Sequence, residues 1–449
     1  MMPGHADLWF LPLGGCGEIG MNMNLYGHDG QWLMVDCGVT FAKPGASEPH
    51  VQMPDPTFIE GDAHNLSALL ITHAHEDHIG AVAHLWPKLG CPVYLTAFSA
   101  AIVRRKLAEH DLLDQVPLHI IEPGSRQQLG EFDIQWLSLT HSTPQSQALW
   151  IKTKAGSILH TGDWKIDRDP VVGPPIIPSD FQALAEENVL AMVCDSTNAL
   201  NSGHSVSEGD LLEGLHRLIA DAPGRVVVGC FGSNIARLHT LVSVAAQTGR
   251  YAGVLGRSLN NYLQAARQAR LWDKSLSVIE ASHLGYLPPR EVLAIATGSQ
   301  GESGAALSRL AADTHPDLSL QAGDTVILSA RVIPGNEVAL SALLDRLQAR
   351  GVRVVSDESL NFPIHASGHP CQDELTDMYR WVQPEFAIPV HGEAQHMAAN
   401  AEVAMRSGVP RSFVGENGDL FMLAPVPGVR RGFAEVGRLG FDRGRLVSI

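Results

Sequence analysis

The segment from Thr72 to His78 reads Thr-His-Ala-His-Glu-Asp-His, which has the residue types and spacing of a metal-binding loop. His73 and His75 lie two residues apart after a predicted buried strand, so both imidazoles can face one ion. Asp77 and His78 follow at the start of a predicted helix, where they can reach a second ion. Imidazole nitrogen and carboxylate oxygen are natural zinc ligands. The alternative is a polar strand–helix loop in which the histidines are fortuitous.

Three further candidate ligands each follow a strand-like run: His141, Asp163 and His391. Any one of them alone would be interpreted as an ordinary loop residue. Together they complete two sites that share Asp163. We expect these ligands: His73, His75 and His141 on one metal, Asp77, His78 and His391 on the other, and Asp163 between them.

Two metals bridged by a hydroxide are suited to hydrolysis, because they lower the pKa of the bridging water and clamp the attacking and departing oxygens of a phosphoryl displacement. The sequence therefore predicts a hydrolase with two divalent ions, Zn²⁺ first and Mn²⁺ as the alternative.

The elements that must position these residues change character along the chain. The first 200 residues predict short strands, with a helix over His78–Leu89. After about residue 205, strands alternate with helices, which is typical of a parallel sheet. A helix over 373–381, a strand over Phe386–Val390, a helix over Ala394–Arg406 and a β pair near 413–423 follow, and the tail from Pro425 is expected to be peripheral.

Composition limits the class of protein. Asp and Glu number 48 against 32 Lys and Arg, a net charge of -16, which by itself argues against a polyanionic partner. The six cysteines are scattered singly, without a CxxC pair, which indicates reduced thiols in a cytoplasmic protein. Neither a signal peptide nor an apolar run long enough for a membrane span is predicted.

The HxHxDH pattern resembles the defining motif of the metallo-β-lactamase superfamily, and Asp36 matches the family's first motif, an Asp that orders the ligand loop. Later segments resemble the β-CASP branch and its ribonuclease J family. These are Cys194-Asp195-Ser196-Thr197-Asn198, His365-Ala366-Ser367-Gly368-His369 and Pro389-Val390-His391-Gly392-Glu393, together with segments near residues 13–20, 256–258, 297–302 and 331–337.

The resemblance implies an α/β fold: a four-layer αββα metallo-β-lactamase sandwich with an inserted β-CASP α/β domain. The expected boundaries are 1–205 for the first part of the sandwich, 206–360 for the inserted domain, 361–425 for the second part and 426–449 for a short tail. It also implies metal-dependent cleavage of RNA by a 5′-exonuclease, with endonuclease activity as an addition. The chain ends soon after the last predicted strand, where that family commonly carries an oligomerisation domain. A homodimer formed through another surface remains open.

The departing alkoxide of a phosphodiester needs a proton donor. Asp195 and His369 form a chemically suitable pair, and with Asp77 they are the predicted catalytic residues. Without the resemblance, Asp195 would equally suit an Asx turn and His369 an ordinary loop. His365, Ser367 and His369 alternate, so an extended backbone would point them one way, and the resemblance implies that they grip a phosphate.

Positive charge is concentrated in residues 225–275, which hold seven basic residues against one acidic residue. For any one of them, a position on a solvated helix face is the alternative interpretation. Stronger candidates for phosphate contacts begin helices after strands, where backbone N–H groups bind anions. The predicted contacts outside the HASGH segment are Ser233, Asn234, Arg257, Ser258 and Arg331.

Two other functions are compatible with the same residues. The metal pair could hydrolyse a small ester, thioester or lactam, although a small substrate does not require the inserted domain. A non-catalytic RNA- or protein-binding scaffold would be expected to lack ligands, and all seven are present. The GxGxxG match at residues 15–20 does not indicate a dinucleotide site. A predicted β-hairpin follows it instead of the helix that such a site requires.

Overall fold

The computed structural model describes residues 2–42, 46–333 and 335–449. Pro334, which belongs to the 331–337 segment singled out above, lies outside the described residues. The first part of the chain contains β1 (Leu8–Gly14), β2 (Met23–His28), β3 (Gln31–Val35), β4 (Thr40–Phe41), β5 (Val51–Pro54), β6 (Leu66–Leu70), β7 (Val93–Leu95), β8 (Leu118–Ile120), β9 (Arg126–Leu129), β10 (Phe132–Ser138), β11 (Gln147–Thr153), β12 (Gly156–His160) and β13 (Ala191–Asp195). Its helices are α1 (Thr57–Glu60), α2 (Glu76–Ile79), α3 (Val82–Leu89), α4 (Ala97–Glu109) and α5 (Pro178–Gln182).

The middle of the chain contains β14 (Val226–Gly229), β15 (Tyr251–Leu255), β16 (Val292–Ala296), β17 (Thr325–Leu328) and β18 (Arg353–Ser356). Its helices are α6 (Leu211–Asp221), α7 (Ile235–Gln247), α8 (Arg257–Gln268), α9 (Ala281–Leu284), α10 (Ala306–Ala311) and α11 (Glu337–Ala349). The last part contains α12 (Gln372–Val382), β19 (Phe386–Val390), α13 (Ala394–Arg406), β20 (Arg411–Ser412), β21 (Leu420–Ala424), β22 (Gly428–Arg430), β23 (Arg438–Asp442) and β24 (Arg445–Ser448).

Two large sheets pack face to face. One has the order β22-β21-β1-β2-β3-β6-β7-β8 and the other β20-β19-β13-β12-β11-β10-β9. The apolar layer between them takes Phe10 and Leu70 from the first sheet and Trp136 and Ile388 from the second, all fully buried. Helices α3 and α4 cover the outer face of the first sheet, and α5, α12 and α13 cover the second. The predicted four-layer αββα sandwich, built from both ends of the chain, is confirmed.

The middle of the chain forms a separate five-stranded sheet of order β15-β16-β14-β17-β18, in which every pair is parallel. Alternating strands and helices produce this arrangement because a parallel pair needs a crossover connection. The predicted inserted α/β domain is thus confirmed as a sheet, while its exact boundaries at 206 and 360 stay a prediction.

Several local predictions differ from the structure. The helix expected over His78–Leu89 is two helices, α2 and α3. Gly80 lies between them, and a Cβ added at this position would lie 2.5 Å from the Glu76 carbonyl oxygen. The β pair expected near 413–423 is wrong, because β20 pairs with β19 and β21 pairs with β1, in different sheets. The tail expected to be peripheral supplies β23, which pairs with β5, and β24. The hairpin expected after the GxGxxG match is confirmed as β2–β3.

Strand direction gathers the functional side chains. Strands β12, β13 and β19 run parallel, so their carboxyl ends share one edge of the second sheet. Asp163 follows β12, Asp195 ends β13 and His391 follows β19. Strand β10 runs in the same direction, because it and β12 are each antiparallel to β11, and His141 follows it. The Thr72–His78 loop follows β6 of the facing sheet.

Glu374 of α12 anchors the connection into the inserted domain. It is fully buried. One carboxylate oxygen accepts hydrogen bonds from Ile166 N and Ser205 Oγ, and the other from Ser205 N and Cys371 N, at 2.7–2.8 Å. A single carboxylate thus joins the loop after β12, the segment leading to α6 and the start of α12.

Among the helices of the described ranges, none has the length and apolar character needed to cross a bilayer.

Replacing Glu374 by Ala is expected to lower the free energy of unfolding by about 3 kcal/mol, because three backbone N–H groups would lose their acceptor in a buried site. Urea unfolding followed by tryptophan fluorescence measures the change. Glu402→Ala, on the exposed face of α13, is the matched control and should stay within about 0.5 kcal/mol of the unaltered protein. Equal midpoints for the two variants would contradict the anchoring role of Glu374.

Candidate metal centre

Three histidines and one aspartate form a first group. His73, His75, His141 and Asp163 each place one ligand atom within 4.8 Å of the others. Nδ1 of His75 lies 3.1 Å from Nε2 of His73 and 3.0 Å from Nε2 of His141. Four ligands held tetrahedrally at about 2.0 Å from zinc would be separated by about 3.3 Å. The nitrogens therefore converge at the spacing that a shared ion requires.

A second group contains Asp77, His78, Asp163 and His391, again with ligand atoms within 4.8 Å of one another. Oδ2 of Asp163 lies 3.2 Å from Nε2 of His78 and 3.4 Å from Nε2 of His391. Oδ2 of Asp77 lies 3.5 Å and 3.6 Å from the same two nitrogens. Asp163 belongs to both groups, as a ligand bridging two ions would. The structure thus brings all seven proposed ligands together, and the donor set fits two divalent ions.

Neighbouring groups set the orientation of the ligand rings. Nδ1 of His141 donates to the carbonyl oxygen of Gly368 at 2.6 Å, and Nδ1 of His391 donates to Oδ1 of Asn22 at 3.1 Å. In each ring the other nitrogen, Nε2, is left for the metal, which is the usual arrangement of metal-binding histidines. Any side chain at Gly368 would place its Cβ 2.6 Å from the His141 ring, so a glycine is required there.

Asp36 organises the ligand loop and is itself fully buried. Its carboxylate accepts hydrogen bonds from the Thr72 backbone N–H at 2.8 Å, the Thr72 hydroxyl at 2.9 Å and Nδ1 of His78 at 2.7 Å. The Thr72 hydroxyl oxygen in turn lies 3.0 Å from Nδ1 of His73. One carboxylate outside the proposed ligand set therefore orients one ligand of each group.

The buried charges stabilise each other. Burial raises the pKa of Asp163, but His391 and His78 outweigh it and hold that pKa well below its usual range. Burial lowers the pKa of His78, and the carboxylates of Asp163, Asp77 and Asp36 more than reverse this. Burial lowers the pKa of His75 to about 4. The first group thus offers neutral imidazoles at neutral pH, while an ion entering the second group must displace a proton from His78.

Asp195 and His369 meet beside the two groups. Oδ2 of Asp195 accepts a hydrogen bond from Nδ1 of His369 at 2.7 Å. Burial lowers the pKa of His369, but the Asp195 carboxylate and, further away, Asp163 raise it to about 9. The imidazole is thus held in its protonated form, and the described residues make no hydrogen bond to its Nε2. A charged, partly buried donor adjacent to the metal ligands is suited to protonating a leaving oxygen.

The rest of the HASGH segment divides between two environments. The Ser367 hydroxyl accepts a hydrogen bond from Nδ2 of Asn198 at 2.8 Å, next to Asp195. His365 lies instead near Arg237 and Arg331, and burial together with these cations lowers its pKa to about 3. Its Nδ1 is buried and makes no hydrogen bond among the described residues. His365 therefore presents a neutral imidazole in cationic surroundings, which suits hydrogen bonding to an anion.

The candidate contacts of the inserted domain are placed unequally. Ser258 and Arg257 begin α8 and are exposed, and a Cβ at Gly232 would lie 2.8 Å from the Ser258 hydroxyl, so the loop before Ser233 adjoins α8. Arg331 is exposed. Asn234 is buried and caps α7, accepting from the Arg237 N–H and donating to Glu208, so its side chain is already engaged.

Fewer basic side chains of the segment 225–275 are exposed for contact with RNA than its net charge suggested. Arg225 lies 3.5 Å from Asp324, Arg237 pairs with Glu208 at 3.1 Å, and Arg250 donates to backbone carbonyl groups; all three are at most 8% exposed. These arginines stabilise the inserted domain. The exposed cations of the segment are Arg257, Arg267, Arg270 and Lys274.

Apart from Asp36, the sequence does not indicate the polar side chains that hold the site residues in place. Asn22 contacts two residues of the second group, donating to the Asp77 carbonyl oxygen at 3.1 Å and accepting from His391. Asn400 of α13 donates to the carbonyl oxygen of Asp195 at 2.9 Å. Neither has a local signal, because an Asn in a loop or helix acquires such partners only through chain segments distant in sequence.

Replacing Asp36 by Asn is expected to weaken retention of one of two bound metals by about 10–100-fold, because the orienting acceptor of His78 is lost while the first group keeps His75 and His141. Metal content after dialysis against graded chelator measures this. Asp29→Asn, on the surface hairpin, is the matched control. Retention of both metals by the Asp36 variant would contradict the orienting role.

Comparison with known proteins agrees with this geometry. Residues 17–224 match the description "Metallo-beta-lactamase superfamily", residues 223–347 "Ribonuclease J, beta-CASP domain" and residues 361–411 "Zn-dependent metallo-hydrolase RNA specificity domain". A crystal structure of a protein of unknown function from Enterococcus faecalis V583 superimposes with a TM-score of 0.65 at 15% identity, covering 93% of this chain and 100% of that one, and so shares the fold.

Curated relatives carry the comparison further. The chain is 43% identical over 431 residues to Ribonuclease J of Sinorhizobium meliloti, covering 95% of this chain and 76% of the relative. It is 39% identical over 440 residues to Ribonuclease J of Mycolicibacterium smegmatis, covering 96% and 77%. Against Ribonuclease J of Helicobacter pylori strain J99 it is 38% identical over 451 residues and spans 64% of that protein's length. The chain belongs to the ribonuclease J family within the metallo-β-lactamase superfamily.

Proposed function

We propose that this chain is a metal-dependent ribonuclease that hydrolyses RNA phosphodiester bonds. The observation that carries the proposal is the pair of histidine–aspartate groups sharing Asp163, with the Asp195–His369 pair beside them. Membership of the ribonuclease J family supports RNA as the substrate. We further propose 5′-exonuclease activity, with endonuclease activity in addition.

Two divalent ions, Zn²⁺ in the first instance and Mn²⁺ as the alternative, would activate water and neutralise charge on the phosphate. Their proposed ligands are His73, His75, His141, Asp77, His78, His391 and Asp163. The chain's own residues supply the remaining requirements. Asp36, Asn22 and the Gly368 carbonyl oxygen hold the ligand rings in place.

Proton donation falls to His369. Its Nδ1 is held by Asp195, so Nε2 is the atom from which the leaving oxygen would take a proton. Asp195 keeps the imidazole charged and correctly oriented. Ser367, fixed by Asn198 beside Asp195, and His365, near Arg237 and Arg331, would hold phosphate groups of the RNA.

RNA would reach the metals along the inserted domain. Ser233, Arg257, Ser258 and Arg331 are the proposed phosphate contacts there, and Asn234 contributes through its cap of α7. Hydrogen bonds to phosphates position a nucleic acid without selecting its sequence. This supports a nuclease of broad sequence tolerance.

We also propose a cytoplasmic location, supported by six buried and free cysteines, all within the described residues. A homodimer is proposed as the assembly.

Purified protein incubated with Zn²⁺ or Mn²⁺ is expected to release nucleotides from the 5′ end of 5′-monophosphorylated RNA. Mapping of the products on 5′-phosphate and 5′-triphosphate RNAs separates exonuclease from endonuclease cleavage. A metal-loaded protein that leaves RNA intact but cleaves a small ester or thioester would favour the small-substrate alternative. Binding of RNA without any cleavage would favour a scaffold.

The rate of cleavage is expected to fall as pH rises through the pKa of His369, because a raised pKa keeps the donor protonated below that value and the proton is lost above it. Asp195→Asn removes the carboxylate that raises this pKa, so the alkaline limb of the kcat profile should move to lower pH and kcat should fall about 10²-fold or more. Asp133→Asn, a surface carboxylate paired with Arg126, is the control. Unchanged profiles for the Asp195 variant would exclude His369 as the donor.

Replacing Arg257 and Arg331 together by Ala is expected to raise KM about tenfold, with little change in kcat, and to flatten the salt dependence of binding by about two units. The cause is the loss of two phosphate contacts remote from the reacting bond. Fluorescence anisotropy with labelled RNA across a salt series provides the measurement. Arg406→Ala, at the exposed end of α13, is the control, and an effect on kcat alone would contradict the proposed contacts.

A further inference from the structure

One hydrogen bond links the inserted domain directly to the metal-ligand loop. The hydroxyl of Tyr262, on α8, donates to the carbonyl oxygen of Ala74 at 2.9 Å. Ala74 lies between His73 and His75 and is fully buried, and Tyr262 is 6% exposed. The contact joins residues 188 positions apart in the chain.

The position of the acceptor makes this bond more than a packing detail. The carbonyl of Ala74 belongs to the peptide that precedes His75, so its orientation determines where the His75 side chain points. Nδ1 of His75 stands within 3.1 Å of both other histidines of its group. A small rotation of that peptide would therefore separate the three nitrogens.

Helix α4 provides the surface on which α8 rests. The rings of Phe98, on α4, and Tyr262 lie 6.2 Å apart. The Phe98 N–H donates to Gln145 in the loop that carries His141, and Lys106 on the same helix pairs with Glu76 at 2.7 Å. Helix α4 thus contacts both ligand-bearing loops from the sandwich side, while Tyr262 reaches one of them from the inserted domain.

The same α8 begins at the proposed phosphate contacts. Arg257 and Ser258 open the helix, and Tyr262 follows Arg257 by five residues, a rise of about 7.5 Å. A rigid helix therefore connects a phosphate-binding end to a group that touches the metal-ligand loop. Displacement of α8 at one end is transmitted to the other.

We propose that Tyr262 is a positioning residue through which the inserted domain holds the His73–His75 loop in its metal-binding geometry. The metal site formed by His73, His75 and His141 then reaches full affinity only when α8 is seated on α4. The metal part of this inference stands on geometry alone, and its consequence for RNA cleavage rests on the proposed function.

Tyr262→Phe tests the proposal, because it removes the hydroxyl and leaves the ring against Phe98. Tyr94→Phe is the matched control: Tyr94 is a partly buried tyrosine of the sandwich that stacks on His119, and its hydroxyl makes no hydrogen bond with the described residues. Thermal unfolding of both variants checks that each is folded. The probes are Zn²⁺, for the rate of metal loss to a chelator, and Co²⁺, whose visible absorption reports ligand geometry.

We expect Tyr262→Phe to lose one of two Zn²⁺ ions about tenfold faster than the unaltered protein, and to change the Co²⁺ spectrum. On RNA, kcat should fall while KM stays unchanged, because the phosphate contacts of α8 remain. Tyr94→Phe should match the unaltered protein in thermal unfolding, rate of Zn²⁺ loss, Co²⁺ spectrum and RNA cleavage.

Three results would overturn the proposal. The first is metal loss and a Co²⁺ spectrum equal to those of the control. The second is a lower melting temperature with unchanged metal properties, which makes Tyr262 a packing residue only. The third is a raised KM with unchanged kcat and metal retention, which assigns α8 to substrate binding alone. If the unaltered protein cleaves no RNA, the proposed function fails, while the chelator and Co²⁺ comparisons still decide the role of Tyr262.

Discussion

The carboxylate of Asp163 is buried where the two sheets meet, and its negative charge has to be compensated there. Its Oδ2 has four imidazole rings of the proposed metal ligands within 4 Å. A buried charge is costly unless opposite charge and hydrogen bonds surround it. The two sheets must therefore bring His73 and His78 from one side and His141 and His391 from the other. Convergence of strand ends at one edge satisfies this requirement and creates the metal centre at the same time.

Buried charge also organises the junction between the two domains. Glu374 collects donors from three segments, and Glu208 pairs with both Arg237 and Asn234. Arg237 also donates to the Ser329 carbonyl oxygen, at the end of β17. Buried polar groups thus hold the connections into and out of the inserted domain. Their hydrogen bonds stabilise one arrangement of the two domains, whereas an apolar interface would permit several. Tyr262 extends this set to the metal-ligand loop itself.

The net negative charge of the chain is compatible with RNA cleavage, because many of its charged residues are engaged within the protein. Several acids are engaged within the centre or its support, and several arginines of the basic segment are engaged inside the inserted domain. Among the proposed contacts, the exposed positive charge is accordingly local: Arg257 at the start of α8 and Arg331, to which bound ions would add. Broad electrostatic attraction would be weak, so binding would depend on a few local contacts, and its salt dependence should reflect that small number.

The candidate metal ligands are recognisable from the sequence alone, because three histidines and an aspartate rarely fall by chance within one short loop. The sequence also predicts β19, which His391 follows, and α13, both with the bounds that the structure has. The motif also predicts that Asp36 orders the ligand loop, but the other polar side chains that hold the site are determined by tertiary packing. Asn22, Asn198 and Asn400 bind partners far away in the chain.

Tertiary packing also buried Arg225, Arg237 and Arg250, whose charges looked available for RNA, since burial depends on neighbours that local composition does not reveal. The bond from Tyr262 to Ala74 has the same origin. It exists because two domains dock, and no pattern within either segment encodes that contact.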